Sequence, residues 1–149
     1  MGSYDVHVDA FDDLDPRTGY LLWQLRSAAF VVEQNCAYLD LDGRDLEPGT
    51  RHVWVGDGGI PVGYARVLDD VHTLRIGRVV VATTHRGTGL SDTVMRAALD
   101  TVGDRASRLD AQAPLAGWYA RYGYRATGPE FLEDGIPHVP MARPAPPAG

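Results

Sequence analysis

Apolar and polar residues alternate at the start of the chain. Tyr4, Val6, Val8 and Ala10 are interleaved with Asp5, His7 and Asp9, the period of two that predicts a half-buried strand over residues 4–10. From Asp15 and Pro16 the spacing changes to three and four. Asp15 suits a helix cap, Pro16 its first turn, and Leu21, Leu22, Leu25, Ala28, Ala29 and Val32 form a stripe that carries the helix to Glu33. Residues 51–55 and 60–68 are strand-like runs joined by Gly56-Asp57-Gly58-Gly59, which predicts a hairpin. Asp69-Asp70 turns the chain into a further strand, residues 74–81, and connections this short predict antiparallel neighbours. A helix over 90–102 places Leu90, Val94, Ala97, Ala98 and Val102 inward and stops at Gly103. Residues 107–113 follow as a strand that a helical crossover sets parallel to 74–81. Pro114 opens a short helix with Leu115, Trp118, Tyr119 and Tyr122 on its apolar side, ended by Gly123. Strands at 124–127 and 138–142 then flank a loop at 130–137. The pattern predicts one α/β domain over residues 1–142 and a Pro-rich, frayed tail over 143–149.

Between the strand at 74–81 and the helix at 90 lies His85-Arg86-Gly87-Thr88-Gly89-Leu90-Ser91-Asp92. N–H groups bared at a helix start carry partial positive charge, and glycines let an anion approach them. A phosphate-bearing ligand fits this stretch, and so does an ordinary tight turn. The Walker spacing with its Lys is missing, as is a Gly-x-Gly-x-x-Gly near the chain start. The net charge of -6 argues against broad nucleic-acid binding, so an anion would have to be held locally by N–H groups and by Arg75, Arg78 and Arg86. No apolar run is long enough to span a membrane, no leader is expected at the start, and Cys36 is the single cysteine. A cytoplasmic protein is expected. Residues 33–49 carry Glu33, Asp40, Asp42, Asp45 and Glu47. They are too acidic to be core, and suit either a solvated loop or the lip of a site that draws in a cationic amine.

Val79-Val80-Val81 followed by Arg86-Gly87-Thr88-Gly89-Leu90-Ser91 resembles motif A of the GNAT superfamily of acyl-CoA-dependent N-acetyltransferases. Gln112, Tyr119 and Gly123-Tyr124 resemble its motif B, in the right order. Phe30-Val31-Val32-Glu33-Gln34-Asn35-Cys36, Tyr38-Leu39-Asp40-Leu41-Asp42-Gly43 and Phe131-Leu132-Glu133-Asp134-Gly135-Ile136-Pro137-His138 resemble signature segments of the ElaA-like subfamily. Two positions depart from motif A: Ser91 stands where Gly or Ala is usual, and His85 where an aromatic is usual.

The resemblance implies a mixed, mostly antiparallel central sheet with a splayed parallel strand pair and helices on both faces. It implies acetyl-CoA as co-substrate, its pantetheine arm lying along Val79, Val80 and Val81 and the Val80 N–H acting as oxyanion donor. Arg86, Gly87, Thr88, Gly89, Leu90, Ser91 and Asp92 would cradle the pyrophosphate, with Gln112 and Tyr119 also at the cofactor. Tyr119 is expected to protonate the departing thiolate. Glu33, Glu130, Glu133 and His138 are candidates for the base that deprotonates the amine, Glu33 and His138 foremost, or for groups that orient the acceptor. No residue near Cys36 marks it as activated, so it is expected to pack, and no metal-ligand spacing is present. The implied acceptor is a small amine or a lysine or N-terminal amine, without nucleic acid or membrane, and dimers are common among such relatives. The alternatives are an acyl-CoA-binding or sensing module without chemistry, and a protein-interaction domain that uses the acidic segment.

Overall fold

The structure, a computed structural model, describes residues 4–147. Strands β1 (Tyr4–Asp9), β2 (Arg51–Asp57), β3 (Ile60–Asp69) and β4 (Leu74–Val81) form an antiparallel meander, with α1 (Pro16–Arg26) between β1 and β2. α2 (Leu90–Val102) leads to β5 (Ser107–Gln112), which is parallel to β4, and α3 (Ala116–Ala120) follows. β6 (Arg125–Ala126) and β7 (Phe131–Glu133) both pair with β8 (Ile136–Arg143), which lies against β5. Within the single eight-stranded sheet the order is β1-β2-β3-β4-β5-β8-β6. Among the described residues no helix is long and apolar enough to cross a membrane.

Each face of the sheet is covered by a helix whose sequence dictates the fit. Asp15 caps α1 by accepting from the Thr18 N–H at 2.9 Å, with Pro16 in the first turn. On that face Leu22 and Ala29 pack with Trp54, Tyr64 and Val80. α2 covers the other face, where Leu90, Val94, Ala98 and Val102 meet Val53, Val55, Val67 and Ile76. Gly63 in β3 permits this seating, because a Cβ there would stand 2.6 Å from Val94 Cγ2.

The helix ends at Glu33 as expected, but after Arg26 it widens into a π-helical segment, Ser27–Glu33, in which the Gln34 N–H reaches back five residues to the Ala29 carbonyl. The wider turn rotates the stripe, and Val32 is 75% exposed. Several further expectations from the sequence are corrected. In β1, Tyr4, Val6 and Val8 are exposed, because β1 is an edge strand that α2 does not reach. The segment 130–137 is a hairpin, with Asp134 and Gly135 both at positive φ between β7 and β8, as a two-residue turn of this kind requires. Arg143 belongs to β8 and its Nε donates to the Tyr122 carbonyl at 3.0 Å, so the folded domain passes residue 142. Residues 144–147 have no regular secondary structure; 148–149 and the chain start at 1–3, where no leader is expected, lie outside the described residues.

The acidic segment is also corrected, since Asp40 and Asp45 are buried. Arg26, itself fully buried, donates to Asp45 Oδ1 at 2.6 Å and to Asp40 Oδ2 at 3.1 Å. Arg66 bridges Asp45 and Asp42, and Arg78 donates to Asp40 Oδ1 at 2.7 Å. Three guanidinium groups thus meet three carboxylates and fasten residues 40–45 to the sheet. Burial opposes the charge of Arg26, but Tyr64, Asp45 and Asp40 more than offset it and its pKa is raised. Buried ion pairs of this kind contribute little net energy, yet removing one partner costs about 3–5 kcal/mol. His52 lies beside these ion pairs. Its Nε2–H donates to the Asp45 carbonyl at 3.1 Å and its Nδ1 accepts from the Tyr64 hydroxyl at 2.7 Å, which is the neutral form; burial lowers its pKa.

Two outcomes follow for urea denaturation. Gly63→Ala should destabilise the protein by about 1–3 kcal/mol, through overpacking against Val94. Because His52 takes up its proton more readily when unfolded, stability should be complete above the unfolded pKa of about 6.5 and fall as the pH drops below it, by at most about 1.4 kcal/mol per pH unit from this group. His52→Gln should make that acid slope shallower.

Candidate functional site

β4 and β5 pair at Leu74–Ser107 and Arg75–Arg108 and then separate. β4 stays with β3 as far as Val81, while β5 follows β8 to Gln112. Among the described residues the facing edges beyond Arg75 have no strand partner. A bulge shapes the β4 edge. Arg66 is opposite Gly77 and Tyr64 is opposite Val80, so Arg78 and Val79 together face Ala65, and Arg78 has φ +54°. The Ala82 N–H donates to the Val62 carbonyl at 2.8 Å, which sets the phase of the ladder. Alternation then directs the Val80 N–H to Tyr64 on β3, and the Val79 and Val81 N–H groups into the cleft. The expectation that Val80 presents the cleft N–H is therefore corrected: the bulge gives that place to its neighbours. The Val80 side chain is buried under α1.

Two cavities open on this cleft, of about 410 and 370 Å³. They share Phe30, Gln34, Val79, Leu115 and Tyr119. Tyr119, on α3, is 8% exposed and burial pushes its phenol up to about 12. Its ring is edge-on to Trp118 at 4.9 Å, and among the described residues its hydroxyl makes no hydrogen bond. The phenol therefore keeps its proton at neutral pH and has it free to give.

The smaller cavity is lined by Val79, Val80, Val81, Arg86 and Ser91. Gly87 and Gly89, at φ +76° and +83°, turn the chain into α2. Among the described residues no acceptor meets the N–H groups of Gly87, Thr88, Gly89, Leu90 and Ser91, whereas the Asp92 N–H is taken by the Gly89 carbonyl at 3.2 Å. Five open N–H groups at a helix start form an anion cradle. Ser91, where Gly or Ala is usual, leaves its N–H open among the described residues, and Asp92 does not. The Asp92 carboxylate instead accepts from the Tyr122 hydroxyl and from Arg96, and both hold its pKa low.

The larger cavity holds Gln112 and His138, which are opposite one another on β5 and β8. Gln112, expected beside the cofactor, thus lines the larger cavity and not the smaller one that Arg86 and Ser91 border. His138 Nδ1–H donates to the Ile136 carbonyl at 2.7 Å, and its Nε2 stands 3.8 Å from Glu133 Oε2. Arg75 and Arg78 also line this cavity; Arg75 pairs with Asp110, and Arg78 with Asp40. They are not grouped with Arg86, which grips Glu33 at 2.7 and 2.8 Å beside the smaller cavity and holds that carboxyl below its usual range. Glu130 lines neither cavity. Cys36 is buried, its Sγ 3.4 Å from the Gln34 carbonyl. His85 bridges Thr84 and Asp57 at the sheet edge. Phe30, Gln34 and Leu115 border both cavities, though nothing in the sequence assigns them to the site. Gln34 adjoins the expected Glu33, but only the π turn aims it at the junction.

A splayed parallel pair, a bulged strand and an anion cradle at the next helix define the GNAT class of acyltransferases, and residues 29–144 match the acetyltransferase (GNAT) domain family. The chain belongs to that family. Within it the chain is ElaA-like: it is 42% identical to protein ElaA of Escherichia coli over 131 residues, covering 83% of this chain and 86% of ElaA. The crystal structure of E. coli ElaA superposes with a TM-score of 0.89 at 37% identity, over 95% of this chain and 99% of that one. A UPF0039 protein of Mycobacterium tuberculosis is 47% identical over 137 residues, 89% of this chain and 88% of its own length. An acyl-CoA N-acyltransferase from Pseudomonas aeruginosa has a TM-score of 0.91 at 40% identity, over 95% of this chain and 99% of its own.

Proposed function

We propose that this protein transfers an acetyl group from acetyl-CoA to a primary amine by direct attack within a ternary complex. The observation that carries the reading is the placement of Tyr119, a protonated phenol without a partner, where the two cavities meet. The smaller cavity takes the acyl-CoA. The N–H groups of Gly87 to Ser91 hold the pyrophosphate, and the pantetheine arm pairs along the open edge of β4. The thioester carbonyl then accepts from the Val79 N–H, which stabilises the tetrahedral oxyanion as the amine attacks from the larger cavity. His138 Nε2 takes the proton lost by the amine. Tyr119 gives its proton to sulfur as the C–S bond breaks, leaving an amide and free CoA.

With the Tyr119 phenol pushed up to about 12 against a thiol at its reference value of about 8.5, this transfer is uphill by roughly 5 kcal/mol. The burial that raises Tyr119 acts on a thiolate in the same place and raises its basicity too, which narrows the gap. Glu33 is a poor base, since Arg86 stabilises its ionised form. Arg44, Arg66, Arg75 and Arg78 line the larger cavity against Asp42, Asp110, Glu133 and Asp134, so it offers a polycation no particular attraction.

Wild-type protein should bind acetyl-CoA in calorimetry and release free thiol with members of a panel of amines, polyamines holding no advantage over monoamines. Binding without thiol release from any amine would point instead to a sensing module. Tyr119→Phe should lower kcat by about 10² to 10⁴ while acetyl-CoA affinity is retained; unchanged turnover would remove the general-acid role. Glu33→Gln, which takes a negative charge from beside the anion cradle and releases Arg86, should tighten CoA binding several-fold and leave stability within about 0.5 kcal/mol.

A further inference from the structure

We infer that Asp40 is a positioning residue for acyl transfer: it holds Arg78 in the left-handed conformation of the β4 bulge and so keeps the Val79 N–H in the cleft. The inference rests on the acetyl-transfer reading for its functional consequence, but its structural part stands on the strand register alone.

The register shows what the bulge accomplishes. Arg66 is opposite Gly77; in a regular ladder the next pairs would be Ala65 with Arg78 and Tyr64 with Val79. The Val79 N–H would then be taken by the Tyr64 carbonyl. Because Arg78 is inserted, Val80 takes the place opposite Tyr64 and Val79 is released to the cleft. A slip of one residue exchanges the two sides of a strand, so the whole phase of Val79 to Val81 depends on Arg78 remaining at φ +54°.

A non-glycine residue persists in that region only where its surroundings over-determine it. Here the restraint is supplied through the side chain. Arg78 Nε donates to Asp40 Oδ1 at 2.7 Å and Nη2 to the Asp40 carbonyl at 3.2 Å, while the guanidinium lies over the Tyr38 ring at 5.5 Å. The Tyr38 hydroxyl donates to the same Oδ1 at 3.3 Å. Asp40 is held in turn by Arg26, whose Nε reaches Oδ2 at 3.1 Å and whose Nη2 reaches the Asp40 carbonyl at 2.9 Å. Arg26 ends α1. Arg78 Nη2 also reaches Asp42 Oδ2 at 3.5 Å, a longer contact to a more exposed carboxylate. The main restraint thus runs from the helix on one face of the sheet, through the buried Asp40 carboxylate, to the backbone that would meet the thioester.

The test separates conformation from charge. By amide hydrogen exchange without ligand, Val80 should be protected and Val79 should exchange rapidly in the wild type. Arg78→Ala keeps the strain and loses the anchor. It should erase that contrast and lower kcat about tenfold or more, with the KM for acetyl-CoA changed by less than about threefold. Arg78→Gly also loses the anchor, but glycine accepts positive φ; it should restore the contrast and bring kcat back to within about threefold of wild type. Asp40→Asn should follow Arg78→Ala, and where it fails to fold the Arg78 pair decides. The inference is overturned if Arg78→Ala keeps the contrast, or if Arg78→Gly is as slow as Arg78→Ala. A wild type that releases no thiol, with the contrast lost in Arg78→Ala and regained in Arg78→Gly, supports the anchor and removes the acetyl-transfer reading.

Discussion

The parting of β4 and β5 after two residue pairs is the constraint on which the rest of the structure depends. Backbone N–H and C=O groups are obligatory hydrogen-bonding groups, and a sheet opened in its middle leaves them without the partners a continuous sheet supplies. Under the proposed function the opening takes something that can pair like a strand and that carries an anion to the open N–H groups of Gly87 to Ser91. Both cavities, and the one tyrosine that borders both, are consequences of that opening.

Keeping the edge of β4 in the right phase falls to charged groups rather than to apolar packing. Arg26, Arg66 and Arg78 are balanced by Asp40, Asp42 and Asp45, and on the floor of the larger cavity Arg75 pairs with Asp110. An acidic segment that would attract cations if free is consumed as structure. Burial of matched ion pairs adds little stability but is exacting in geometry, which suits a place where one residue at positive φ decides which N–H faces the ligand.

Where sequence and structure part, the reasons are local and physical. The hairpin at 130–137 was signalled by Asp134-Gly135 between apolar residues, a two-residue turn pattern hidden within a polar stretch. The π-helical turn at Ser27–Glu33 leaves no mark in a spacing of three and four, so the outward turn of Val32 and the aim of Gln34 were not legible. Asp40 and Asp45 looked solvated because carboxylates usually are, and their arginine partners lie 14 to 38 positions away in the chain. Nothing in Val79-Val80-Val81 itself tells which of three identical residues a bulge will release, so the shift of the cleft N–H from Val80 to its neighbours is not legible in the sequence.

The sequence by itself determined the strand and helix order, the glycine turn into α2, the GNAT family and the two motifs that flank the cleft, because each is written in residues close together in the chain. Only the tertiary structure decided the phase of β4, the fate of the acidic segment and which cavity a candidate lines. Those depend on register across a splayed sheet and on charges that meet only when α1, β3 and β4 are packed, and neither leaves a periodic trace along the chain.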